Sequence, residues 1–576
     1  MPKNITVLKF GGSVLRSEED VPTVVHEVYR HWRRGAKVLV VVSAFGGTTD
    51  ELIARTRSYG DEPHPESIAT LLFTGEATAA SFVGLALRRA GVPVKLLTPE
   101  QAGIITKGEP LDSEPVSLNV ERIHSELEDH VVVISGFAGV SPAGDLTLLG
   151  RGGTDLTALF LARHLNARCV LVKDVDGMYE SKPTDDLPLP RRFVTASYET
   201  TSNVCRELVQ TKAVAFAARN DLEFEIAAIG SRAGTRIGNF IDELGEKDNA
   251  EPAPLRVALL GCGTVGGGVY HRLSALSDHF EVTGVVNLDP DKAIANGVRA
   301  EQIEQNARKL IEHDCDVVVE LIGGIEPAWS LIEFALDRKR HVVTANKALI
   351  AEHGPELEAR AAAKGVSLRY SAAVGGSTPA FESVTSVARS APLRSLRGII
   401  NGTCNYICDQ LAKGVDFHTA LNTAQIEGYA EADPTLDLDG TDTAQKLVLL
   451  TRAAFGHELP LADVERRGID TLTSEEIERA RENKLVYRLV AECTRDAGGY
   501  RASVTPVLVS PDDPFGRTRG TDNCVFIETE AGEQVVVRGR GAGRHATTEP
   551  VLADLFDVRD AAHSSTANHQ TREAAA

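Results

Sequence analysis

Unbroken apolar runs of strand length alternate with stretches of helical character through the first 240 residues of this chain. Val38–Val42, Val131–Ile134 and Cys169–Val172 are such runs, and Glu76–Arg89 is a helical stretch between them. Strands covered on both faces read as continuous apolar runs, so the region predicts an α/β sandwich around a largely parallel sheet. The segment DELGEKDNAEPAP, Asp242–Pro254, breaks the rhythm with charge and closes on two prolines, which predicts a linker over 241–254. A second parallel-sheet rhythm follows in Leu255–Leu260, Val282–Val286, Asp316–Leu321, His341–Thr344 and Val366–Tyr370. From about Leu396 the chain turns richer in glycine and acid, as for a separate α+β domain. Gly539–Leu555 reads as a glycine loop and a helix that returns to the preceding domain, and the polar, alanine-rich tail from Ala561 as frayed. The predicted division is 1–240, linker 241–254, 255–395, 396–520, a return segment 521–560 and a tail 561–576.

Composition narrows the classes of function. A chain of 576 residues exceeds what one core serves, and two to four domains are expected. The formal charge of −20, from 81 acidic and 61 basic residues, is spread along the chain, which disfavours nucleic acid and anionic membrane as partners. Of eight cysteines only Cys404 and Cys408 are near neighbours, and without a second ligand pair they read as buried small side chains. MPKNITVLKF has no apolar signal core, and no stretch of about 18 uninterrupted apolar residues occurs. A reducing, cytoplasmic setting is the expectation.

Two glycine-rich turns carry the first chemistry. KFGGS, Lys9–Ser13, follows the apolar run Ile5–Leu8, and GCGTVG, Gly261–Gly266, follows Leu255–Leu260. Each places backbone N–H groups at a sheet's carboxyl edge, where a phosphate can approach, so two active sites are expected. In the first half Lys9 and the amides of Gly11 and Gly12 are joined by VVSAFGGTTD, Val41–Asp50, with Thr48 and Thr49. LLFTGEAT, Leu71–Thr78, carries Glu76; GRGGTD, Gly150–Asp155, carries Arg151 and Asp155; and KDVDGMYESKP, Lys173–Pro183, has the character of a nucleotide loop. Taken singly these are a turn, a surface loop and a charge at a helix N-terminus.

In this order and spacing they resemble the catalytic domain of aspartokinase over about the first 240 residues. The resemblance implies that Lys9 stabilises the transferring phosphoryl group and that Arg151 receives the aspartate α-carboxylate. Thr49 and Glu76 complete the pocket, with Glu76 suited to an ammonium, and Asp155 orients the lysine and loops. Lys173, Asp174 and Tyr179 cradle the nucleotide, Lys212 in QTKAV lies near the ATP phosphates, and Mg²⁺ enters with ATP. Two departures stand out: the family's Thr-Ser is Ser13-Val14, and its Asp-Pro-Arg is Lys182-Pro183-Thr184. The paired ACT modules usual after an aspartokinase domain have no room between Gly238 and Leu255, so inhibition by lysine or threonine through such a domain is not expected.

In the second half the glycine turn, between a strand and a helix, predicts a dinucleotide site at Gly261, Gly263, Thr264, Val265 and Gly266. Asn287 in VVNLDPDK lies at the ribose position; Asp289 would favour NAD and Lys292 NADP, and the choice stays open. VVVELIGG (Val317–Gly324), TANKALIA (Thr344–Ala351), SAAVGGSTP (Ser371–Pro379), GIINGTCNYI (Gly398–Ile407) and GYAEADPTLDLDGTDTAQKL (Gly428–Leu447) follow in order. The series resembles homoserine dehydrogenase. Asp442 and Lys446 lie four apart, on one helix face.

The resemblance implies that Lys446 is the general acid and Lys347 a second lysine that positions substrate or shares the proton. Desolvation beside a cationic nicotinamide would lower such a lysine's pKa. Glu431, Asp437 and Asp442 supply the acids, Gly323, Thr344 and Asn346 line the nicotinamide, and Gly541 closes over the cofactor. Ser371 stands where relatives often carry glutamate beside a monovalent cation, leaving the carbonyls of Val374 and Gly376 for Na⁺ or K⁺.

The fold expected is an amino-acid-kinase-like α/β sandwich followed by a Rossmann dinucleotide-binding domain with an α+β substrate and dimerisation domain. The expected function is a bifunctional aspartokinase–homoserine dehydrogenase with small-molecule substrates, ATP with Mg²⁺ and NADP or NAD, acting as a homo-oligomer. Two alternatives remain: a dehydrogenase whose kinase fold serves binding or oligomerisation, and a different acylphosphate-forming kinase.

Overall fold

The computed structural model describes residues 4–59, 64–182, 190–204, 207–245, 253–313, 315–541 and 544–574. The chain forms two compact units, Met1–Arg89 with Pro93–Pro252, and Ala90–Val92 with Ala253–Ala576.

The first unit is built on a nine-stranded sheet. Its order is Glu243–Leu244, Phe193–Ser197, Thr235–Gly238, Phe224–Ala228, Arg168–Lys173, Ile5–Phe10, Lys37–Val42, Val131–Ser135 and Val94–Leu97. Arg168–Lys173 through Val94–Leu97 pair in parallel. The strands Ile5–Phe10, Lys37–Val42 and Val131–Ser135 are buried along almost their whole length, as a helix-covered sheet requires. A smaller four-stranded sheet carries the hairpin Ile105–Glu109 and Asp112–Ser117.

The Pro65–Arg89 helix is long and apolar enough to cross a membrane by length and composition. Leu72, Ala79, Ala80, Val83 and Leu87 are instead buried inside this unit. The helix starts eleven residues before Glu76, so Glu76 is buried in mid-helix and is no N-terminal helix charge.

The region expected to be a linker begins within the sheet. Glu243–Leu244 pairs antiparallel with Phe193–Ser197, and the Asp242 carboxylate accepts from the Ser197 amide at 2.6 Å and the Thr200 hydroxyl at 2.5 Å. These bonds keep the chain on the sheet beyond the predicted boundary. Residues 246–252 of the same segment lie outside the described residues.

The second unit opens with a six-stranded, all-parallel sheet ordered Ile303–Glu304, Phe280–Val286, Leu255–Leu260, Val317–Glu320, His341–Thr344 and Leu368–Arg369. The order reverses beside Leu255–Leu260, creating a crevice at the strands' carboxyl ends. A second six-stranded sheet follows, ordered Glu465–Arg466, Gly499–Val509, Val486–Asp496, Leu393–Ile399, Asp522–Thr529 and Gln534–Arg540. The helices Gly402–Ala412 and Thr441–Phe455 pack against it.

Two predicted boundaries change here. Residues 521–560 were expected to return to the first sheet of this unit, yet Asp522–Thr529 and Gln534–Arg540 complete the second sheet. Only the Arg544–Ala574 helix returns, burying Val551, Leu552, Leu555 and Phe556 in one cluster with Val269, Leu273 and Phe280. The helix continues to Ala574, so the tail expected to be frayed is helical over 561–574. Apolar residues at three- and four-residue spacing gave it a core to dock on.

Candidate active sites

Lys9 and Lys173 meet because of strand register. Lys9 pairs with Leu171 on the neighbouring parallel strand, so Lys173, two residues on, projects from the same face. Asp155, in the first turn of the Gly153–His164 helix, receives both: its Oδ1 lies 2.6 Å from Lys9 Nζ and its Oδ2 lies 3.2 Å from Lys173 Nζ. All three are buried. Burial pushes the Asp155 carboxyl up, but the ammoniums of Lys9 and Lys173 outweigh it and hold the group below the usual carboxylate range. Burial and then the Lys9 charge bring Lys173 down to about 8. Two lysines share one carboxylate, leaving an excess positive charge suited to a phosphate.

The glycines are fixed by close approach. A Cβ on Gly11 would lie 2.4 Å from Lys9 Nζ, and one on Gly12 would lie 3.3 Å from the Gly46 Cα. Gly75 lets the helix bearing Glu76 approach Thr48, whose Cγ2 would be 3.1 Å from an added Cβ. Glu76 Oε2 is buried without a hydrogen-bond partner among the described residues. Burial pushes this carboxyl up to about 8, despite the Ala44 amide and Lys9. Thr49 lies in the first turn of the Thr48–Thr56 helix, entered through Gly47 at φ +79°. Arg151 is exposed between Gly150 and Gly152, both left-handed, and makes no ion pair among the described residues.

In the nucleotide loop Asp174 is exposed, and Tyr179 donates to Asp176 Oδ1 at 2.6 Å. Arg192 grips the same Asp176 at Oδ2 and at its carbonyl, 2.9 and 3.0 Å away. Neither Asp176 nor Arg192 was singled out in the sequence, where Arg192 lies beyond the end of the motif it braces. Lys173 stands with Lys9 and Asp155, although the sequence placed it in this loop. Pro183 and Thr184, the departure from Asp-Pro-Arg, lie outside the described residues.

Lys212 is engaged differently from the expected phosphate contact. Its Nζ donates to Asp112 Oδ1 at 2.7 Å, to the Leu149 carbonyl at 2.8 Å and to the Ser113 carbonyl at 3.1 Å. It ties the hairpin to the loop that presents Arg151, because three acceptors surround it there.

In the second unit, Gly261 has φ +97° and a Cβ on it would lie 2.6 Å from the Leu321 carbonyl oxygen, while one on Gly266 would lie 2.1 Å from the Gly261 oxygen. Gly263 faces open space, and no side chain caps the helix that begins at Thr264, with Val265 in its first turn. These features fit a dinucleotide pyrophosphate approaching free amides. Asn287 Oδ1 accepts from the Cys262 amide at 3.0 Å and its Nδ2 donates to the Asp289 carbonyl at 2.6 Å, so it braces the glycine turn. Asp289 caps the following helix through the Lys292 amide at 3.1 Å.

Glu320, which sequence reasoning passed over although it ends a buried strand, organises the edge where the sequence places the nicotinamide. It accepts from the amides of Ile322 and Gly323 at 2.8 and 3.1 Å and from the Thr344 hydroxyl at 2.5 Å. Thr344 Oγ1 in turn accepts from the Asn346 amide at 3.0 Å, and Asn346 Nδ2 donates to the Gly324 carbonyl at 2.6 Å. Gly323, Thr344 and Asn346 are thereby gathered at one edge.

Asp442 binds both lysines, with Lys347 Nζ 3.2 Å from Oδ1 and Lys446 Nζ 2.6 Å from Oδ2. Lys446 also donates to the Ile400 carbonyl at 3.0 Å. The Asp442 charge holds Lys347 above its ordinary value, against burial, which reverses the lowering expected from desolvation. Asp442 itself is pushed up by burial but held low by Lys446 and Lys347. Burial, then Asp442, raises Asp437. Glu431 is exposed, and its charge adds to the field on Lys347.

Ser371 is bound by a carboxylate from the terminal helix: its amide and hydroxyl donate to Asp554 at 3.0 and 2.5 Å. Val374 and Gly376 follow in a buried turn, and a Cβ on Gly376 would meet the Gly541 carbonyl oxygen at 2.7 Å. Gly541 packs on Asn523, whose Oδ1 would lie 2.4 Å from a Cβ there. Its neighbours Ala542 and Gly543 lie outside the described residues. Cys404 and Cys408 are buried and form no disulfide.

Comparison with known proteins agrees with both halves. The Amino acid kinase family model matches residues 4–218, that of the Homoserine dehydrogenase, NAD binding domain matches 261–371, and that of Homoserine dehydrogenase matches 379–556. A homoserine dehydrogenase of Synechocystis sp. is 36% identical over 316 residues, 53% of this chain and 73% of that protein. One from Pseudomonas aeruginosa is 36% identical over 319 residues, 53% of this chain and 72% of that protein. A solved homoserine dehydrogenase from Thiobacillus denitrificans superposes with a TM-score of 0.52 at 36% identity, covering 54% of this chain and 74% of that one. The chain belongs to the homoserine dehydrogenase family, and an amino acid kinase domain is fused ahead of its NAD-binding and dehydrogenase domains.

Proposed function

We propose that the kinase unit phosphorylates the side-chain carboxylate of L-aspartate with ATP, giving 4-phospho-L-aspartate, while the dehydrogenase unit interconverts L-aspartate 4-semialdehyde and L-homoserine with NADP or NAD. The observation that carries the kinase reading is the buried Lys9–Asp155–Lys173 cluster together with the buried Glu76 carboxyl, whose Oε2 has no hydrogen-bond partner among the described residues. Lys9 and Lys173 offset charge on the phosphoryl oxygens as they transfer. The acceptor carboxylate is already ionised, so the site needs no general base. Glu76 and Thr49 take the ammonium end of aspartate and Arg151 its α-carboxylate. Asp174 and Tyr179 flank the nucleotide, and Mg²⁺ arrives with ATP on phosphate oxygens and water.

In the dehydrogenase unit the nicotinamide, when bound, gives a hydride to the aldehyde carbon or takes it back from homoserine. Lys446 supplies the proton that the carbonyl oxygen then needs, and Asp442 keeps the ammonium aimed. Lys347 holds the same oxygen's other side, while Asp437 and Glu431 receive the substrate ammonium. Gly323, Thr344 and Asn346 line the ring, and Gly541 closes nearby. Na⁺ or K⁺ would rest on the Val374 and Gly376 carbonyls, with the Asp554 carboxylate beside Ser371. A homo-oligomer in the cytoplasm, free of effector control through an intervening ACT domain, completes the reading.

The test is an aspartate-dependent acylphosphate assay with Mg-ATP on the full-length chain and on Lys9→Ala, with homoserine oxidation followed in the same samples. Kinase activity that vanishes in the variant while oxidation persists is the expected result. An intact chain that oxidises homoserine but phosphorylates no aspartate would sink the kinase reading.

A further inference from the structure

Every polar atom of the Asn401 amide is spent inside the dehydrogenase site. The residue is 3% exposed at the start of the Gly402–Ala412 helix. Its Oδ1 caps that helix, accepting from the Cys404 amide at 2.8 Å. Its Nδ2 donates to two carboxylates at once, Asp437 Oδ1 at 2.8 Å and Asp442 Oδ2 at 3.0 Å. An amide nitrogen has two hydrogens, so each acid receives its own.

The two acids stand in unequal surroundings. Asp442 is neutralised by Lys347 and Lys446, whereas Asp437 makes no ion pair among the described residues. Like charges this close repel, and the neutral amide is what joins them. The backbone of Asp437 is fixed from the same helix, since the Cys404 thiol donates to its carbonyl at 3.1 Å. An N-cap residue is rigid by virtue of its cap, which makes the bridge a fixed point on the sheet-packed helix and not a surface contact.

We propose that Asn401 is the positioning residue for recognition of the substrate ammonium: its amide hydrogen bond holds the Asp437 carboxylate toward the amino group, while Asp442 is left to the two lysines. The inference rests on the assignment of Asp437 to the ammonium subsite. Asp437 is faced by Asp442 and Lys446 on the Thr441–Phe455 helix, by Lys347 on the Lys347–Lys364 helix and by Asn401. Burial and then Asp442 raise its carboxyl, and Asn401, Lys446 and Lys347 oppose them. Loss of the amide donor therefore lifts it further.

The experiment is the pH profile of homoserine oxidation by the full-length chain carrying Asn401→Ser, Asn401→Asp or Asp437→Asn. Serine keeps a helix cap and loses both amide N–H donors, its single shorter hydroxyl being unable to bridge two acids; aspartate keeps shape and cap and adds a third negative charge. For Asn401→Ser the KM for homoserine should rise about tenfold or more, with kcat at alkaline pH and the KM for the nicotinamide cofactor nearly unchanged. The acid limb of kcat/KM should move to higher pH, and further still in Asn401→Asp. An acid limb that stays in place in both variants, with kcat falling as far as kcat/KM, would overturn the proposal. Where Asn401→Ser fails to fold, Asn401→Asp alone decides by the same criterion. Asp437→Asn separates the two readings: an unchanged acid limb there removes Asp437 from ammonium binding, and the assignment beneath the proposal fails with it.

Discussion

Lys347 Nζ lies 3.2 Å from Asp442 Oδ1, an ion pair between a helix that springs from the parallel sheet and a helix of the α+β domain. It brings the edge that carries Thr344 and Asn346 and the acidic segment of Asp437 and Asp442 to one place. The partner lysine, Lys446, holds the other oxygen of the same acid.

Removing that shared anion should uncouple both lysines. In Asp442→Asn, kcat for homoserine oxidation is expected to fall about 100-fold or more, in line with loss of aligned acid–base catalysis. The folded-state pKa of Lys347 is raised by Asp442. The stability this pairing contributes is thus fully present below the ordinary lysine pKa and is lost only as pH rises through the higher folded value. Thermal melts of wild type and variant should accordingly differ by a constant amount between about pH 6 and pH 9 and converge in strong alkali. A difference that collapses near neutrality would contradict the assignment.

Glu76 gives the kinase unit an opposite dependence. Its carboxyl is raised to about 8 by burial, so between the ordinary carboxylate pKa and that value the folded state holds a proton that the unfolded chain has released. Stability then falls as pH rises through this window. Glu76→Gln should flatten the decline and stabilise the kinase unit at its alkaline end. An ammonium ligand would ionise the group, so aspartate binding near neutral pH should release a proton. Calorimetry in buffers of different ionisation heat would detect it, and the release should vanish in Glu76→Gln while the aspartate KM rises about tenfold or more.

Two glycines of the dinucleotide turn, Gly263 and Gly266, should respond unequally. Gly266→Ala would place a Cβ 2.1 Å from the Gly261 oxygen, whereas Gly263 opens onto free space. In the protein without cofactor, Gly266→Ala should lower the melting temperature of the dehydrogenase unit and Gly263→Ala should not. Both should weaken NAD(P)H binding in a fluorescence titration, Gly263→Ala because its backbone must approach the pyrophosphate. An unperturbed Gly266→Ala protein would contradict the close approach.

Lys212 offers a test of where it acts. Bound to Asp112, Ser113 and Leu149, it should hold the loop that carries Arg151. Lys212→Ala is then expected to raise the KM for aspartate several-fold more than the KM for ATP. The reverse ranking would restore the phosphate contact that the sequence suggested.

The sequence by itself determined the two-part organisation and both glycine turns, and named acids and lysines that the structure gathers, because these depend on local chemistry. Continuous apolar runs report strands buried on both faces, and a glycine between a strand and a helix reports close backbone approach. Partnership was a matter of tertiary structure. Strand register alone put Lys173 beside Lys9, the hairpin fold captured Lys212, and the docked terminal helix delivered Asp554 to Ser371. Glu320 and Asn401 read as ordinary residues within their motifs until folding surrounded them with acceptors and donors from distant segments. The sense of the pKa shift at Lys347 was likewise settled only by folding, because it depends on Asp442, which lies 95 positions along the chain and 3.2 Å away in space.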